Sequence, residues 1–452
     1  MGSTKATTTV TEQLRDYRAA LYASFRRWAD ALFELSDAML CSPGKVCSVP
    51  ALSLEPVFSR SHGSLYKALA LGRIDEEAIR ELLASSLDPG WPLTFAIDAS
   101  TWDRCDAECS PERGFHYSAS KHSAGKPIVA GWSYQWACQL CFTPDSWTAP
   151  LDVVRVKPTM DATIETIGQV RRVVEPMPTD REVPMAVLDA GYDPAAISHG
   201  LKDVRVEVLC RIRSDRVFYL DPGPRRPSEP GRPARHGRRF ALADPASWQS
   251  PDVTLVARDS RYGTVSVSAW HGLHPRLHGR GRWKGEPEPP IVRASVLKVE
   301  VEHLPKASAG VKKTLWLWWS GPGLPDLERC FRAYLRRFDI EHTYRFFKSV
   351  LGWTTPSIRT PEQADRWSLL VAAAYTELRL ARGLVEDLRL PWERRLGPQA
   401  LSPARVRRGF RLLRAVIGSP ASPPKYTIAG PGRPTGTRRP PRTRYPAVKK
   451  AA

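Results

Sequence analysis

Two apolar runs that each end in an aspartate constrain this chain most. Leu93-Thr-Phe-Ala-Ile97 leads into Asp98, and Val183-Pro-Met-Ala-Val-Leu188 leads into Asp189. Short apolar runs bounded by turn signals read as buried strands, and an open α/β sheet delivers whatever follows its strands to one edge, where its ligands sit. A lone acidic residue after a strand is ordinarily a turn former or a helix cap. The repetition of the pattern makes Asp98 and Asp189 candidate catalytic residues.

The surrounding texture agrees with a mixed α/β fold class. From Trp91 onward strand patterns alternate with helical ones: strands at 93–98, 127–142 and 151–157, a helix at 163–174, a strand at 183–189, a helix at 194–201 and a strand at 204–212. Residues 216–323 read as a β-rich insertion, with strands at 253–257, 264–270, 291–301 and 314–319 and Pro, Gly and Arg-rich loops at 221–239 and 272–290. Helix returns at 324–350 and 361–384. Residues 1–90 form a helical N-terminal region. There Leu14, Tyr17, Leu21, Phe25, Trp28, Leu32 and Leu35 make one stripe of a single helix, and 64–71 is a candidate recognition helix with Ser64 as its cap. The pattern therefore predicts a core of 91–215 with 324–385, interrupted by 216–323, and a basic segment 386–452.

Charge narrows the partner. The chain of 452 residues carries 67 Lys and Arg against 47 Asp and Glu, a formal net charge of +20, which suits a polyanion such as nucleic acid. Arg394 to Ala452 holds 15 Lys and Arg and no acid, so a helix at 403–417 is expected to run into a disordered basic tail after Ser419. The apolar stretches, such as 315–319 and 369–375, are far too short to span a bilayer, and the first residues lack the apolar core of a secretory signal. A cytoplasmic location and no membrane partner are expected. Eight cysteines are too few for a disulfide scaffold. Cys105-x3-Cys109 and Cys138-x2-Cys141 offer zinc-like spacing, but the second pair lies in an apolar strand pattern, so structural cysteines are the preferred reading.

The third element of chemistry is Phe331 to Lys348, read as one continuous helix. At about 100° per residue Tyr334, Arg337, Glu341 and Lys348 share a polar stripe about 60° wide, flanked by Phe331 and Phe338 on one side and Ile340 and Phe347 on the other. A stripe so bracketed faces a cleft; the plain alternative is a surface helix with an i,i+4 pair between Arg337 and Glu341. Competing acids fit less well: Asp103, Asp106 and Glu108 fall in a polar loop, Asp193 suits a cap before Pro194, and Asp339 projects about 160° from Glu341.

Tyr334-x2-Arg337-x3-Glu341-x6-Lys348 resembles the signature helix of a large group of bacterial insertion-sequence transposases, the DDE enzymes with a ribonuclease H-like core. That group has its first and second aspartates ending core strands and a β-rich insertion before the glutamate helix. The resemblance covers about 91–382. It implies a ribonuclease H-like core in which Asp98, Asp189 and Glu341 are catalytic and bind Mg²⁺, with Mn²⁺ as substitute, because oxygen-only ligands select hard cations. It further implies that Tyr334, Arg337 and Lys348 contact DNA near the cleaved end. The activity implied is hydrolytic nicking at transposon ends and strand transfer into double-stranded target DNA by a homodimer in a synaptic complex, in the cytoplasm at the nucleoid. An inactive transposase-derived DNA-binding protein and a nuclease that cuts without joining are the alternatives. Trp270, Trp316, Trp318 and Trp319 are expected in the core, with stacking on an unpaired base the other possibility. Gly231-Arg232-Pro233 and Gly432-Arg433-Pro434 resemble minor-groove hooks.

Overall fold

The structure is a computed structural model and describes residues 2–118, 127–143, 145–225, 231–279, 281–304, 313–426, 431–432, 434–438 and 441–449. Along the chain run α1 (Gly2–Ala23), β1 (Phe25–Arg27), α2 (Ala29–Cys41), α3 (Val49–Leu52), α4 (His62–Leu71), β2 (Arg73–Ile74), α5 (Glu76–Ser85), β3 (Thr94–Asp103), β4 (Gly114–Tyr117), β5 (Ile128–Leu140) and β6 (Thr148–Val156). There follow α6 (Ala162–Val174), β7 (Met185–Leu188), α7 (Pro194–Gly200), β8 (Glu207–Ile212), β9 (Val217–Tyr219), β10 (Arg239–Ala241), β11 (Val253–Asp259), β12 (Gly263–Pro275), β13 (Ala294–Val301) and β14 (Thr314–Ser320). Helices α8 (Leu327–Arg337), α9 (Asp339–Ser349), α10 (Pro361–Leu380) and α11 (Pro403–Ile417) complete the fold. These elements form two compact units, one of Met1–Trp91, Ala99–Asp161 and Asp339–Ala452, the other of Pro92–Asp98 and Ala162–Phe338.

The second unit is built on a large mixed sheet. β7 lies parallel to both β3 and β8, with Thr94 opposite Met185 and Leu188 opposite Cys210. β8 then pairs antiparallel with β14, and the ladder continues through β13, β12 and β9 to β10, with β11 on β12. The strands expected at 216–323 thus extend the sheet of β7 and β8 through β14. Buried Val, Leu and Trp side chains of β8, β13 and β14 form the core here, and Trp270, Trp316, Trp318 and Trp319 are all within it. Trp270 meets Trp316 at 5.8 Å and Trp248 meets Trp316 edge-on at 5.2 Å, so these rings are packing groups and none of the four is offered to a base.

In the first unit β5 is the spine, antiparallel to β4 and β6. Gly131 permits that spine: a Cβ there would sit 2.2 Å from the carbonyl oxygen of Trp102. Trp102, Trp132, Tyr134, Trp136 and Trp353 interlock beside it, with Trp136 edge-on to Trp353 at 5.1 Å. Cys138 and Cys141 are buried at this strand, and the Cys141 thiol contacts the Thr143 hydroxyl at 2.8 Å. Helix α10 starts at a capping box formed by Thr360 and Gln363, and it packs against β6, α1, α2 and α11.

Three expectations are corrected. The stripe from Leu14 to Leu35 is not one helix: α1 stops at Ala23, Phe25 pairs with Ile74, and Trp28 takes a left-handed φ of 62° before α2 begins. Strand pairing and the Asp75 amide, which donates to the Ser24 carbonyl at 2.8 Å, override a helical pattern that has no Pro or Gly to stop it. Helix α4 starts at His62, with Ser61 rather than Ser64 at its N-cap. The basic tail is not free of fixed contacts: Val448 bridges Gly114 in parallel, and the Tyr445 amide donates to Glu108. Arg433 of the second hook sequence lies outside the described residues.

Candidate active site

Asp98 and Asp189 are brought together by the parallel pair β3 and β7. Hydrogen-bonded pairing covers Thr94 to Ala96, so Asp98 stands two residues beyond the ladder, and Asp189 directly follows β7. The strand does not end at Asp98 as expected; β3 continues to Asp103. The adjacent Asp193 caps α7 through the Ala196 amide at 3.1 Å, as its position before Pro194 suggests.

Helix α8 is laid along the same strands by its two ends. Asp326 caps it, accepting from the Arg329 amide at 3.0 Å. Arg329 donates to the carbonyls of Leu93 at 3.0 Å and Val183 at 2.8 Å, at the start of both strands, and pairs with Glu207 at 3.3 Å. Eight residues later, about 12 Å along the helix axis, Arg337 arrives at the strands' other end. Its guanidinium lies 3.6 Å from the Asp98 carboxylate and 3.4 Å from that of Asp189. Tyr334, one turn earlier, donates its hydroxyl to Asp189 at 3.1 Å, and Arg211 of β8 approaches Asp189 at 3.9 Å.

The electrostatics follow from these contacts. Burial pushes the Asp189 carboxyl up, but Arg337, the Ala190 amide, Tyr334 and Arg211 outweigh it and hold the group below the ordinary aspartate range. Two carboxylates therefore share one cationic group at the end of adjacent strands. The resemblance implies that Tyr334 and Arg337 contact DNA; in the structure Tyr334 donates to Asp189 and Arg337 lies against both aspartates. Arg211 had no signal in sequence beyond its place on a strand beside Asp189.

The signature region is not one helix. α8 ends at Arg337, and α9 begins at Asp339. Phe338 between them keeps right-handed helical angles, φ −60° and ψ −18°, and its side chain is 45% exposed. Glu341 falls in the first turn of α9, where an acid suits the helix dipole. Lys348 donates to the Thr101 carbonyl at 3.0 Å and lies over Trp353; burial lowers its pKa, opposed by Asp103.

Among the described residues no group of three or more His, Cys, Asp and Glu is gathered as a ready metal centre. The pair Asp98 and Asp189 nevertheless fits a hard divalent cation. Both are oxygen donors, both already face a single cationic group, and Mg²⁺ is commonly held by one or two carboxylates with substrate and water completing its shell.

The mixed α/β sheet thus sets two carboxylates side by side just beyond its parallel ladder. The chain belongs to the DDE superfamily endonuclease family, which matches residues 18–276. That span includes Asp98 and Asp189 and stops before the helices carrying Tyr334, Arg337, Glu341 and Lys348. No curated protein matches the chain. Among the described residues no helix is long and apolar enough to cross a membrane.

Proposed function

We propose that this chain is a DNA transposase of the insertion-sequence type, which cleaves at transposon ends and transfers the freed strand into target DNA. The observation that carries the reading is the convergence of Asp98 and Asp189 on one cationic group just beyond the parallel ladder of β3 and β7. Family membership, the Tyr334, Arg337, Glu341 and Lys348 spacing and the acid-free basic segment after Arg394 support it. In this reading the core is ribonuclease H-like with 216–323 as an insertion, the helices of 1–90 contribute DNA binding, and a homodimer pairs two ends.

Asp98 and Asp189, with Glu341 as third carboxylate, would hold Mg²⁺ or Mn²⁺. When bound, such ions activate an attacking oxygen and stabilise a leaving one. Arg211, Arg337 and Tyr334 orient the two aspartates and supply positive charge and a hydroxyl donor where a scissile phosphate would lie. In strand transfer the 3′-hydroxyl loses its proton to solvent and forms a new bond to a target phosphorus, while the bond to the target's own 3′-oxygen breaks and that oxygen takes a proton from solvent.

The test uses duplexes bearing the genomic flanks of the gene, incubated with Mg²⁺. Asp98→Asn, Asp189→Asn and Glu341→Gln are each expected to lower cleavage and joining by orders of magnitude while gel-shift affinity persists. Cleavage without joining would replace the proposal with a nuclease, and a fully active Glu341→Gln protein would remove Glu341 from the site.

A further inference from the structure

Away from the aspartates, β9, β10 and β12 gather a second set of charged groups. His274 is fully buried on β12, opposite Tyr219 of β9. Its Nε2 meets Nδ1 of His236 at 3.0 Å, and its Nδ1 lies 3.6 Å from the Asp221 carboxylate, which Arg293 holds at 2.9 Å. The four side chains form a line from Arg293 through Asp221 and His274 to His236. With Nδ1 committed, His236 keeps Nε2 with no hydrogen bond to another described residue.

His236 in turn lines a cavity of about 200 Å³ together with Arg232, Arg235, Arg276 and His278. Glu288 neutralises Arg232. Among the described residues Arg235 donates only to the Pro289 carbonyl, at 2.6 Å, and Arg276 pairs with no carboxylate. Among the described residues no anion meets these two guanidinium charges in the Pro-walled pocket, and paired Arg side chains match the oxygens of a phosphate group.

The geometry points to a phosphate-binding subsite in this cavity, in which Arg235 and Arg276 hold the anion and His236 Nε2 accepts a proton and donates it to a phosphate oxygen. The added charge stays on His236, whose ring faces neutral His274 with the Asp221 carboxylate behind it. Before the anion arrives, burial and the neighbouring Arg276 and Arg235 hold the His236 pKa below its ordinary value, so the ring is neutral near pH 7. Burial and His236, with a smaller contribution from Arg293, hold His274 down in the same way, against the pull of Asp221. A bound phosphate cancels the arginine charges and raises the His236 pKa, so binding is coupled to proton uptake. The groups that set this titration are His274, Arg232, Arg235, Arg276 and His278 around His236, and Asp221 and Arg293 behind His274. The phosphate is that of a DNA backbone or a free phosphate ion, and this subsite does not depend on the carboxylate chemistry at Asp98 and Asp189.

The experiment is calorimetry of the full chain at pH 7 in Tris and in PIPES, whose ionisation heats differ, with inorganic phosphate and, separately, a 20-base-pair duplex of arbitrary sequence. A buffer-dependent heat is expected, corresponding to uptake of up to about one proton per site. A signal with the duplex alone assigns the site to DNA; a signal with inorganic phosphate alone assigns it to the free ion. His236→Gln should abolish the buffer dependence, Asp221→Asn should reduce it, and the exposed Arg276→Ala should weaken binding about tenfold with melting unchanged. Equal heats in the two buffers for the natural protein, or proton uptake that survives in His236→Gln and in Asp221→Asn, would overturn the assignment.

Discussion

Arg337 is positioned where two carboxylates need a positive charge, which makes it both a support and a competitor. Removing it leaves Asp98 and Asp189 facing one another, so each becomes harder to ionise and more available to a divalent ion. In Arg337→Ala, Mn²⁺ binding to the DNA-free protein, read by electron paramagnetic resonance near pH 7, is expected to tighten about tenfold, roughly 1.4 kcal/mol. Cleavage should fall because the phosphate is deprived of a positive partner. Weaker Mn²⁺ binding would show that the guanidinium only props the carboxylates. Asp189 adds a pH dependence of definite sign: with its folded pKa depressed, its stabilising contribution is present above the ordinary aspartate value and is lost as pH falls through the lowered one. The two aspartates were legible in the sequence because each follows an apolar strand. Arg211 was not, since sequence does not say which neighbouring strand lies within reach.

Among the elements, α1, α2, α10 and α11 are tied by a buried ion cluster. Arg18 pairs with Asp37 at 2.9 Å and with Glu377, and Arg414 reaches Asp37 at 3.1 Å. Replacing Arg18 by Met leaves two buried carboxylates under-compensated, and chemical denaturation should show a loss of about 3–5 kcal/mol. Burial pushes Glu377 up to about 7, against the lowering pull of Arg18. The folded state therefore binds a proton more tightly than the unfolded one, and stability falls as pH rises from the ordinary glutamate range toward 7. Melting temperatures of Glu377→Gln measured from pH 5 to 7.5 should be flatter than those of the natural protein; parallel curves would place Glu377 ionised throughout. None of this was visible in sequence, because Arg18 and Glu377 are 359 positions apart. The helices themselves were largely legible: 403–417 was read with the bounds that α11 has, and α10, read at 361–384, runs from Pro361 to Leu380.

For the whole molecule, the basic C-terminal segment is expected to have two separable effects. Its last described residues cover β4, the strand at the end of its ladder, through Val448 beside Gly114, and Arg113 donates to the Tyr445 carbonyl at 2.7 Å. Deleting everything after Ser419 also removes eight Lys and Arg. The truncated protein should bind any duplex more weakly, with the slope of log K against log salt flattened by about 0.9 for each phosphate that the tail had neutralised. It should also self-associate more in sedimentation, because an uncovered strand edge invites pairing. An unchanged slope would remove the tail from DNA binding, and an unchanged sedimentation profile would show that β4 needs no cover.

By itself the sequence determined the alternation of strands and helices, the apolar run that leads into each of Asp98 and Asp189 and the excess of positive charge. Those are local properties: hydrophobic period, capping residues and composition act over a few residues. Tertiary structure decided where apparently continuous patterns break. The Leu14 to Leu35 stripe yields to the β1 and β2 pair, and the Phe331 to Lys348 helix stops at Phe338. It also decided which charges meet: Arg337 on the two aspartates, Arg18 on Glu377, His236 on His274. Such pairings depend on the placement of strands and helices far apart in the chain, and they form because a buried charge or ring nitrogen must find a partner wherever the fold has brought one.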